Sequence, residues 1–131
     1  MKISVIIPVF NEEKTIMDII EKVQGVDIEK EIIIVDDCST DKTRELLRNI
    51  KEDNIKIIFH DKNLGKGGAL KTGFSHAKGD IIIPQDADLE LDPMEYHNLI
   101  EPILKGYADV VYGSRFAGGR PRGVYRLLNK L

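Results

Sequence analysis

Cysteine is nearly absent from the chain, which contains Cys38 and no other cysteine. A single cysteine excludes an internal disulfide framework and a zinc site built from cysteines. Long apolar runs are absent as well, since no stretch approaches the roughly 20 apolar residues that cross a bilayer as a helix. The first residues lead from Lys2 straight into a strand pattern rather than a signal peptide. We therefore expect a cytoplasmic protein.

Basic charge is not in excess, because 19 lysines and arginines are balanced by 22 aspartates and glutamates, for a formal net charge of −3. A protein that binds nucleic acid without regard to sequence needs surplus positive charge, so we expect no nucleic-acid partner. The three histidines, His60, His76 and His97, show no spacing typical of metal ligands, and we predict surface or structural positions for them. The length of 131 residues is sufficient for one domain with a buried core.

Apolar strand patterns alternate with amphipathic helix patterns along most of the chain. The predicted strands are Ile3–Phe10, Glu31–Asp36, Ile55–Phe59 (nearer an edge), Ile81–Ile83 and Asp109–Tyr112. The buried faces of the predicted helices are Ile16, Ile19, Ile20 and Val23; Thr43, Leu46, Leu47 and Ile50; Leu70, Gly73, Phe74 and Ala77; and Tyr96, Leu99, Ile100 and Ile103. Short alternating elements predict an α/β fold, a doubly wound and mainly parallel sheet with helices on both faces.

Prolines and capping residues predict where several elements begin and end. Pro8 should end the hydrogen bonding of the first strand, and Asn11 should cap the helix that follows it. Either Ser39 or Asp41 should cap the second helix. The last helix should begin at the pair Asp92-Pro93, an N-cap followed by a proline. Its later Pro102 should kink it or begin a new turn.

The predicted domain covers residues 1–116, and residues 117–131 form a basic segment that we expect to be a mobile tail, with a helix starting near Val124. The basic residues near this end can attract anionic lipid headgroups, each contributing roughly 1 kcal/mol near the surface. The alternative is a solvated terminus. The basic residues near this end are Arg115, Arg120, Arg122, Arg126 and Lys130.

Two aspartates follow the strand at Ile81–Ile83, within the stretch Asp80–Asp92. Asp86 and Asp88 flank the small residue Ala87 just after Pro84, which marks the end of the strand. Open α/β sheets bind their ligands at the carboxyl ends of strands. Closely spaced carboxylates there suit Mg²⁺ or Mn²⁺, with substrate phosphates completing the coordination. The alternative reading of this motif alone is a solvated turn.

A glycine-rich segment, Asn63–Gly68, precedes the third predicted helix and contains Lys66. Backbone N–H groups and an ammonium at a strand end suit an anionic ligand. The segment lacks the P-loop pattern, and it does not follow the first strand as a dinucleotide fingerprint would. Taken alone, it is a turn and a helix start.

Five motifs occur in an order that resembles family 2 glycosyltransferases of the GT-A fold, in particular their dolichyl-phosphate mannose or glucose synthase branch. The motifs are Ser4–Glu12, Ile34–Asp41, Asn63–Gly68, Asp86–Asp88 and Gly113–Arg115. The resemblance covers residues 3–116. It implies transfer of a hexose from a nucleoside-diphosphate sugar, GDP-mannose or UDP-glucose, to a polyprenyl or dolichyl phosphate, with Mg²⁺ or Mn²⁺ as cofactor. Because such an acceptor stays in the bilayer, it also implies peripheral contact with the cytoplasmic membrane face.

The resemblance also implies roles for individual residues. The metal ligands are expected to be Asp86, Asp88 and Glu90, with Arg115 clamping phosphate, so that Asp86, Asp88 and Arg115 form the catalytic set. For Phe10 the alternative is core packing, for Glu12 a helix-dipole carboxylate, and for Arg115 a surface ion pair. The nucleotide-binding residues are expected to be Pro8, Phe10, Glu12, Val35, Asp37, Lys66 and Ala87.

Two other functions compete with this one. Relatives of the family continue beyond the Gly113–Arg115 motif with an acceptor-side portion, so a nucleotide-sugar-binding module without turnover is the main alternative. A phosphatase with an Asp-x-Asp nucleophile fits less well, because its nucleophile should follow the first strand. The sequence indicates neither the base, nor the sugar, nor the oligomeric state.

Overall fold

A computed structural model describes the chain at residues 1–87, 92–105, 110–113 and 122–126. A short 3-10 helix, Pro93–Glu95, directly precedes the last helix. The predicted strands are all present, with ends that differ by at most one residue from those predicted. The strands are β1 (Ile3–Val9), β2 (Lys30–Asp36), β3 (Ile55–Phe59), β4 (Ile81–Pro84), β5 (Val110–Gly113) and β6 (Arg122–Arg126). The helices are α1 (Ile16–Gln24), α2 (Thr43–Arg48), α3 (Gly65–His76) and α4 (Tyr96–Leu104).

The strands form one six-stranded sheet in the order β3-β2-β1-β4-β6-β5. The first four in this order are parallel, which confirms the predicted mainly parallel sheet, and β3 lies at the edge as expected. Strand β6 runs antiparallel to both β4 and β5. The isoleucine and valine runs of β1, β2 and β4 suit central strands that are covered on both faces.

The two faces of the sheet are covered by different helices. Ile3, Val5 and Ile7 of β1 pack in the larger core with α1, α2 and α4. Ile6, on the opposite face of the same strand, packs in a smaller cluster with Ala69 of α3. This alternation follows from the two-residue period of a strand, and it confirms that helices lie on both faces of the sheet. The predicted buried faces of α1 and α4 are confirmed in full.

Helix α3 differs from its predicted face. Gly73 is buried as predicted, but Phe74, which was expected inside, is exposed, and Ala69, which was not predicted, is buried. A Cβ atom at Gly73 would lie 2.3 Å from Cγ2 of Ile6. The helix therefore approaches β1 so closely that its two buried residues are small, while Leu70 and Ala77 are partly buried against the same cluster. The glycine-rich segment is the start of this helix, as the turn-and-helix-start reading predicted, because α3 begins at Gly65.

The expected end of hydrogen bonding at Pro8 holds on one side of the strand only, since pairing of β1 with β4 ends at Ile6, whereas pairing with β2 continues to Val9. Val9 accepts the N–H of Asp37, so its backbone polar groups point towards β2, whereas Ile6 accepts the N–H of Gln85 on the other side. Because these directions alternate along a strand, the nitrogen of Pro8 points to the side where β4 has already ended. The missing N–H of Pro8 therefore removes no bond from the ladder.

Two predicted helix starts have opposite outcomes. Helix α1 begins at Ile16, with Thr15 rather than Asn11 as its N-cap. The cap at Asp92 is confirmed, because its side chain accepts the N–H of Met94 at 3.0 Å and Pro93 follows it. Helix α4 continues through Pro102 to Leu104.

The helix expected near Val124 is not formed, because residues 122–126 are strand β6 of the sheet. The predicted tail is therefore partly within the sheet, where β6 fills the place between β4 and β5. The remaining positions of that segment, 117–121 and 127–131, lie outside the described residues, and the predicted mobility there stays a prediction. None of the helices within the described residues has the length and apolarity that crossing a bilayer requires.

Candidate functional site

An open pocket of about 280 Å³ lies at the carboxyl edge of the sheet, where β1, β2 and β4 end. These strands are neighbours in the order β2-β1-β4, so the segments that follow them meet at one place. The chain passes from β1 to β2 on one side and returns to β4 on the other, which is the switch point where open α/β sheets bind ligands. The pocket is lined by Pro8, Val9, Phe10, Glu12, Asp37, Lys66, Ala69, Asp86 and Ala87.

Most of the residues predicted for nucleotide binding surround this pocket. Val35 does not, because it is fully buried in the smaller core cluster. The predicted ligands Asp88 and Glu90 and the predicted phosphate clamp Arg115 lie outside the described residues. The predicted residues that line the pocket are Pro8, Phe10, Glu12, Asp37, Lys66, Asp86 and Ala87.

The loops that follow β1 and β2 are fastened to each other. Asn11 donates its N–H to Oγ of Ser39 at 2.9 Å, and its side-chain oxygen accepts the N–H of Thr40 at 2.8 Å. Asn11 has a φ of 53° and Cys38 a φ of 66°, both in the left-handed region that most residues avoid. Asparagine tolerates this region, so Asn11 is a loop clamp rather than the predicted helix cap.

Phe10 and Glu12 extend from the first of these loops to the pocket. The Phe10 residue is 46% exposed, so core packing, the alternative for this residue, does not describe its position. The Glu12 carboxylate accepts the hydroxyl of Thr15 at 3.1 Å, just before α1 begins. An aromatic ring and a carboxylate thus stand at one end of the pocket.

Asp37 is one of two buried acids that line the pocket, and its carboxylate links the end of β2 to the start of α3. It accepts the N–H groups of Leu64 and Gly65, each at 2.8 Å, and Nδ1 of His60 lies 2.9 Å from its Oδ1. Burial by itself raises the pKa of Asp37, but the hydrogen bonds from His60, Leu64 and Gly65 outweigh it and hold the pKa below its usual value. Gly65 enters the helix at a φ of +83°, which favours glycine.

Lys66 and Asp86 meet across the pocket, with Nζ of the lysine 2.7 Å from Oδ1 of the aspartate. Lys66 stands in the first turn of α3, and its side chain is 52% exposed, whereas that of Asp86 is largely buried. The ammonium shows that the position beside Asp86 accommodates a cation. Within the described residues, no three histidine, cysteine or acidic side chains are grouped closely enough to hold a metal ion.

The strand end that holds Asp86 is braced from α4. The hydroxyl of Tyr96 donates to Oε1 of Gln85 at 2.6 Å, and Nε2 of Gln85 in turn donates to the carbonyl of Asp86 at 3.2 Å. Tyr96 is fully buried, and burial followed by the nearby charge of Asp92 raises the pKa of its hydroxyl well above the usual value. The hydroxyl therefore stays protonated and donates throughout the physiological range.

Sequence reasoning missed two supporting residues, His60 and Tyr96. His60 directly follows β3. The rule that ligands bind at the carboxyl ends of parallel strands could therefore have drawn attention to it. Tyr96 was predicted only as part of a buried helix face, and its hydrogen bond depends on tertiary packing. Neither contact could be found from spacing alone.

The sheet order and the pocket at its carboxyl edge are those of a GT-A glycosyltransferase domain. Residues 4–130 match Glycosyl transferase family 2. The chain belongs to this family, which confirms the family and the fold that the motifs predicted.

Curated relatives include the undecaprenyl-phosphate 4-deoxy-4-formamido-L-arabinose transferase of Proteus mirabilis (strain HI4320), 37% identical over 117 residues, which cover 84% of this chain and 36% of the relative. The dolichol-phosphate mannosyltransferase of Pyrococcus furiosus is 35% identical over 122 residues, which cover 91% of this chain and 34% of the relative. The chain thus spans about a third of the length of these relatives.

Two solved structures extend the comparison. TarS of S. aureus superposes with a TM-score of 0.77 at 25% identity, covering 96% of this chain and 47% of the other. Glucosyl-3-phosphoglycerate synthase of Mycobacterium tuberculosis, in complex with Mn²⁺, UDP and glucosyl-3-phosphoglycerate, superposes with a TM-score of 0.64 at 29% identity, covering 79% of this chain and 39% of the other. Both likenesses support the fold.

Proposed function

We propose that this chain binds a nucleoside-diphosphate sugar, GDP-mannose or UDP-glucose, and that it takes part in transferring the hexose to a polyprenyl or dolichyl phosphate. The observation that carries the proposal is the meeting of Asp37, Lys66 and Asp86 in one pocket at the switch point of the sheet. The relatives named for undecaprenyl-phosphate and dolichol-phosphate substrates support the lipid acceptor. The synthase bound to UDP and Mn²⁺ supports a nucleotide donor.

The nucleoside occupies the end of the pocket formed by the loops after β1 and β2. Phe10 offers a half-exposed aromatic ring against which a base can pack, since bases stack on aromatic side chains. Asp37 accepts a hydrogen bond from a base N–H, because its lowered pKa keeps it an ionised acceptor at neutral pH. Pro8 and Glu12 complete this end of the pocket.

The diphosphate occupies the end formed by α3 and the segment after β4. Lys66 contacts the phosphates from the first turn of α3, where the helix dipole also favours negative charge. Ala87 provides the small surface that lets a phosphate approach the strand end. On the resemblance alone we propose Asp88 as a second metal ligand and Glu90 as a third. On the same ground we propose that Arg115 clamps a phosphate.

Mg²⁺ or Mn²⁺ fits this end of the pocket, because Asp86 offers a hard oxygen donor beside a position that already accommodates the Lys66 ammonium. When bound, such an ion neutralises the negative charge that develops as the diphosphate leaves the sugar. Asp86 would hold the ion, and Lys66 would exchange its carboxylate partner for a phosphate oxygen. Gln85 and Tyr96 keep the strand end of Asp86 in place during this exchange.

Calorimetry with UDP, GDP and their sugar conjugates in the presence of Mn²⁺ tests the donor site. We expect Asp37→Ala to weaken binding about tenfold or more, because a lost hydrogen bond to a charged group costs about 1.5–3 kcal/mol and about 1.4 kcal/mol corresponds to one decade. Asp41→Ala is the matched control, since Asp41 accepts the N–H of Thr43 in the same loop and does not line the pocket. No binding by the wild type, or equal losses in both variants, would contradict the assignment.

Transfer to a polyprenyl phosphate separates the proposed function from the alternative of a binding module without turnover. The measurement is the appearance of labelled sugar in the lipid phase after incubation with a labelled donor and the lipid acceptor. Donor binding with labelled lipid product supports the transferase. Donor binding with no product supports the binding module. The proposed location at the cytoplasmic membrane face follows from the lipid acceptor. The absence of a lipid product would therefore remove the support for that location as well.

A further inference from the structure

His60 is a buried histidine beside the pocket that none of the preceding roles uses. It follows β3, its residue is 9% exposed, and its two ring nitrogens contact different elements. Nδ1 lies 2.9 Å from Oδ1 of Asp37 after β2, and Nε2 lies 2.9 Å from Oγ1 of Thr72 in α3. The imidazole thus joins the acid of the pocket to the helix that carries Lys66.

Hydrogen-bond chemistry determines which nitrogen carries a proton. The ionised Asp37 can only accept, so Nδ1 of His60 must donate to it. The hydroxyl of Thr72 donates either to Nε2 or to the carbonyl of Gly68, which lies 3.1 Å away. In both arrangements of the Thr72 hydroxyl, Nδ1 of His60 keeps its proton. The hydrogen bond to Asp37 therefore does not depend on which partner the hydroxyl chooses.

The contact fixes the orientation of the Asp37 carboxylate. Its Oδ1 is held from two directions, by His60 and by the N–H of Leu64, while Oδ2 accepts the N–H of Gly65. Among the described residues these are the partners of the carboxylate, and a carboxylate oxygen accepts two hydrogen bonds. Oδ2 therefore keeps one lone pair for a donor in the pocket.

We propose that His60 is a positioning residue for nucleotide binding, which acts by holding the Asp37 carboxylate in the orientation that receives the base. The proposal rests on the proposed function, in which Asp37 contacts the nucleoside. His60 itself does not line the pocket, so its effect on binding passes through Asp37. The contact with Thr72 joins the ring to α3.

Two substitutions separate the two contacts of the ring. His60→Asn places an amide nitrogen near the position of Nδ1 and keeps a donor for Asp37 but cannot reach Thr72. His60→Gln places its amide near Nε2 and keeps the contact with Thr72 but cannot reach Asp37. We expect His60→Gln to weaken binding of UDP or GDP about tenfold or more, whereas His60→Asn stays within about threefold of the wild type. Melting temperatures of both variants show whether any loss merely follows stability.

Amide hydrogen exchange at Leu64 and Gly65, measured by NMR without nucleotide, reports the orientation of Asp37 directly. We expect faster exchange of both N–H groups in His60→Gln and near wild-type exchange in His60→Asn. Equal exchange in all three proteins, or binding losses that are equal in the two variants, would overturn the positioning role. No nucleotide binding by the wild type would instead overturn the proposed function, and the exchange rates would still decide whether His60 holds Asp37.

Discussion

The Lys66 side chain is half-exposed, so water screens its ion pair with the largely buried Asp86 from the lysine side and limits the contribution of the pair to stability. Exposed ion pairs typically contribute about 0–1 kcal/mol to stability, because water screens them and both side chains lose freedom. We therefore expect the Lys66 side chain to contribute more to the proposed binding of phosphate than to folding. A lysine that leaves a carboxylate at little cost is suited to exchange that partner for a phosphate.

This argument predicts the behaviour of Lys66→Met. We expect the melting temperature to change little, while calorimetry shows nucleoside-diphosphate binding weakened about tenfold, as the loss of a charge-assisted hydrogen bond implies. Lys71→Met is the matched control, because Lys71 is exposed on the same helix and does not line the pocket. Unchanged affinity of Lys66→Met, or an equal loss in the control, would show that Lys66 does not contact the phosphates.

Asp37 makes stability depend on pH in a defined direction. Its pKa in the folded chain lies below the usual value, which is about 3.9 in an unfolded chain. The carboxylate therefore contributes stability that is fully present above that value and is lost as the pH falls through the folded-state pKa. We expect the wild type to melt above Asp37→Asn at pH 5, with the difference shrinking towards pH 3. A difference that stays constant or grows between pH 5 and pH 3, measured by calorimetry, would contradict this role.

In the pocket, the sequence predicts the acidic residues better than the residues that support them through hydrogen bonds. Asp37 and Asp86 were found because each follows an apolar strand pattern, and the ends of parallel strands meet at one edge. His60 and Tyr96 were not assigned, because their contacts join elements that are distant in the sequence. Val35 was placed in the pocket by resemblance, although an apolar residue within a central strand packs into the core.

Helix α3 shows how close packing can replace an apolar stripe. Its buried positions are Ala69 and Gly73, one helical turn apart, and the helix approaches β1 near Ile6. A pattern search assigns large apolar residues to the inside, which is why Phe74 was misplaced. The close approach brings the first turn of the helix, with Lys66, to the strand ends that line the pocket.

Two glycines of α3 give a matched test of this packing. Gly73→Ala puts a methyl group against the buried Ile6, and overpacking of this kind typically costs about 1–3 kcal/mol. Gly67→Ala has no neighbour within 4 Å and should gain up to about 1 kcal/mol from helix propensity. Urea unfolding measures both free energies. Equal stabilities would indicate that α3 does not lie this close to β1.

Strand β6 is the one strand of the described residues that was not predicted from the sequence. Its sequence, RGVYR, has no long apolar run, and the segment around it is rich in glycine and arginine. A strand that pairs antiparallel with β4 and β5 takes its place from tertiary pairing, which intrinsic propensity does not reveal. Strands β1, β2 and β4 were predicted because their isoleucine and valine runs suit central, covered positions.

In the molecule as a whole, one pocket combines groups that the chain separates by tens of residues. Phe10, Asp37, Lys66 and Asp86 come from four different segments and meet because β1 lies between β2 and β4. The general rule for open α/β sheets predicted this meeting point from the order of motifs. Under the proposed function a nucleoside diphosphate and a divalent cation share this pocket, and we expect their binding to be coupled, because a cation beside Asp86 would reduce the repulsion between that carboxylate and the phosphates.

Thermal unfolding of the intact chain measures this coupling. A ligand that binds only the folded state at about 100 times its dissociation constant adds about 2.7 kcal/mol to the free energy of unfolding. For a domain of this size that raises the melting temperature by an amount on the order of 10 °C. We expect Mn²⁺ together with UDP or GDP to raise the melting temperature by more than the sum of their separate effects.

Asp86→Asn should abolish the excess shift and leave the smaller effect of the nucleotide alone, because the amide keeps the shape of Asp86 but lacks its charge. Asp41→Asn is the matched control, since Asp41 is an acid of the loop after β2 that does not line the pocket. Additive shifts in the wild type would mean that metal and nucleotide bind at independent sites. The same excess in wild type and Asp86→Asn would mean that the metal is held without this carboxylate, and the assignment of Asp86 would then be wrong.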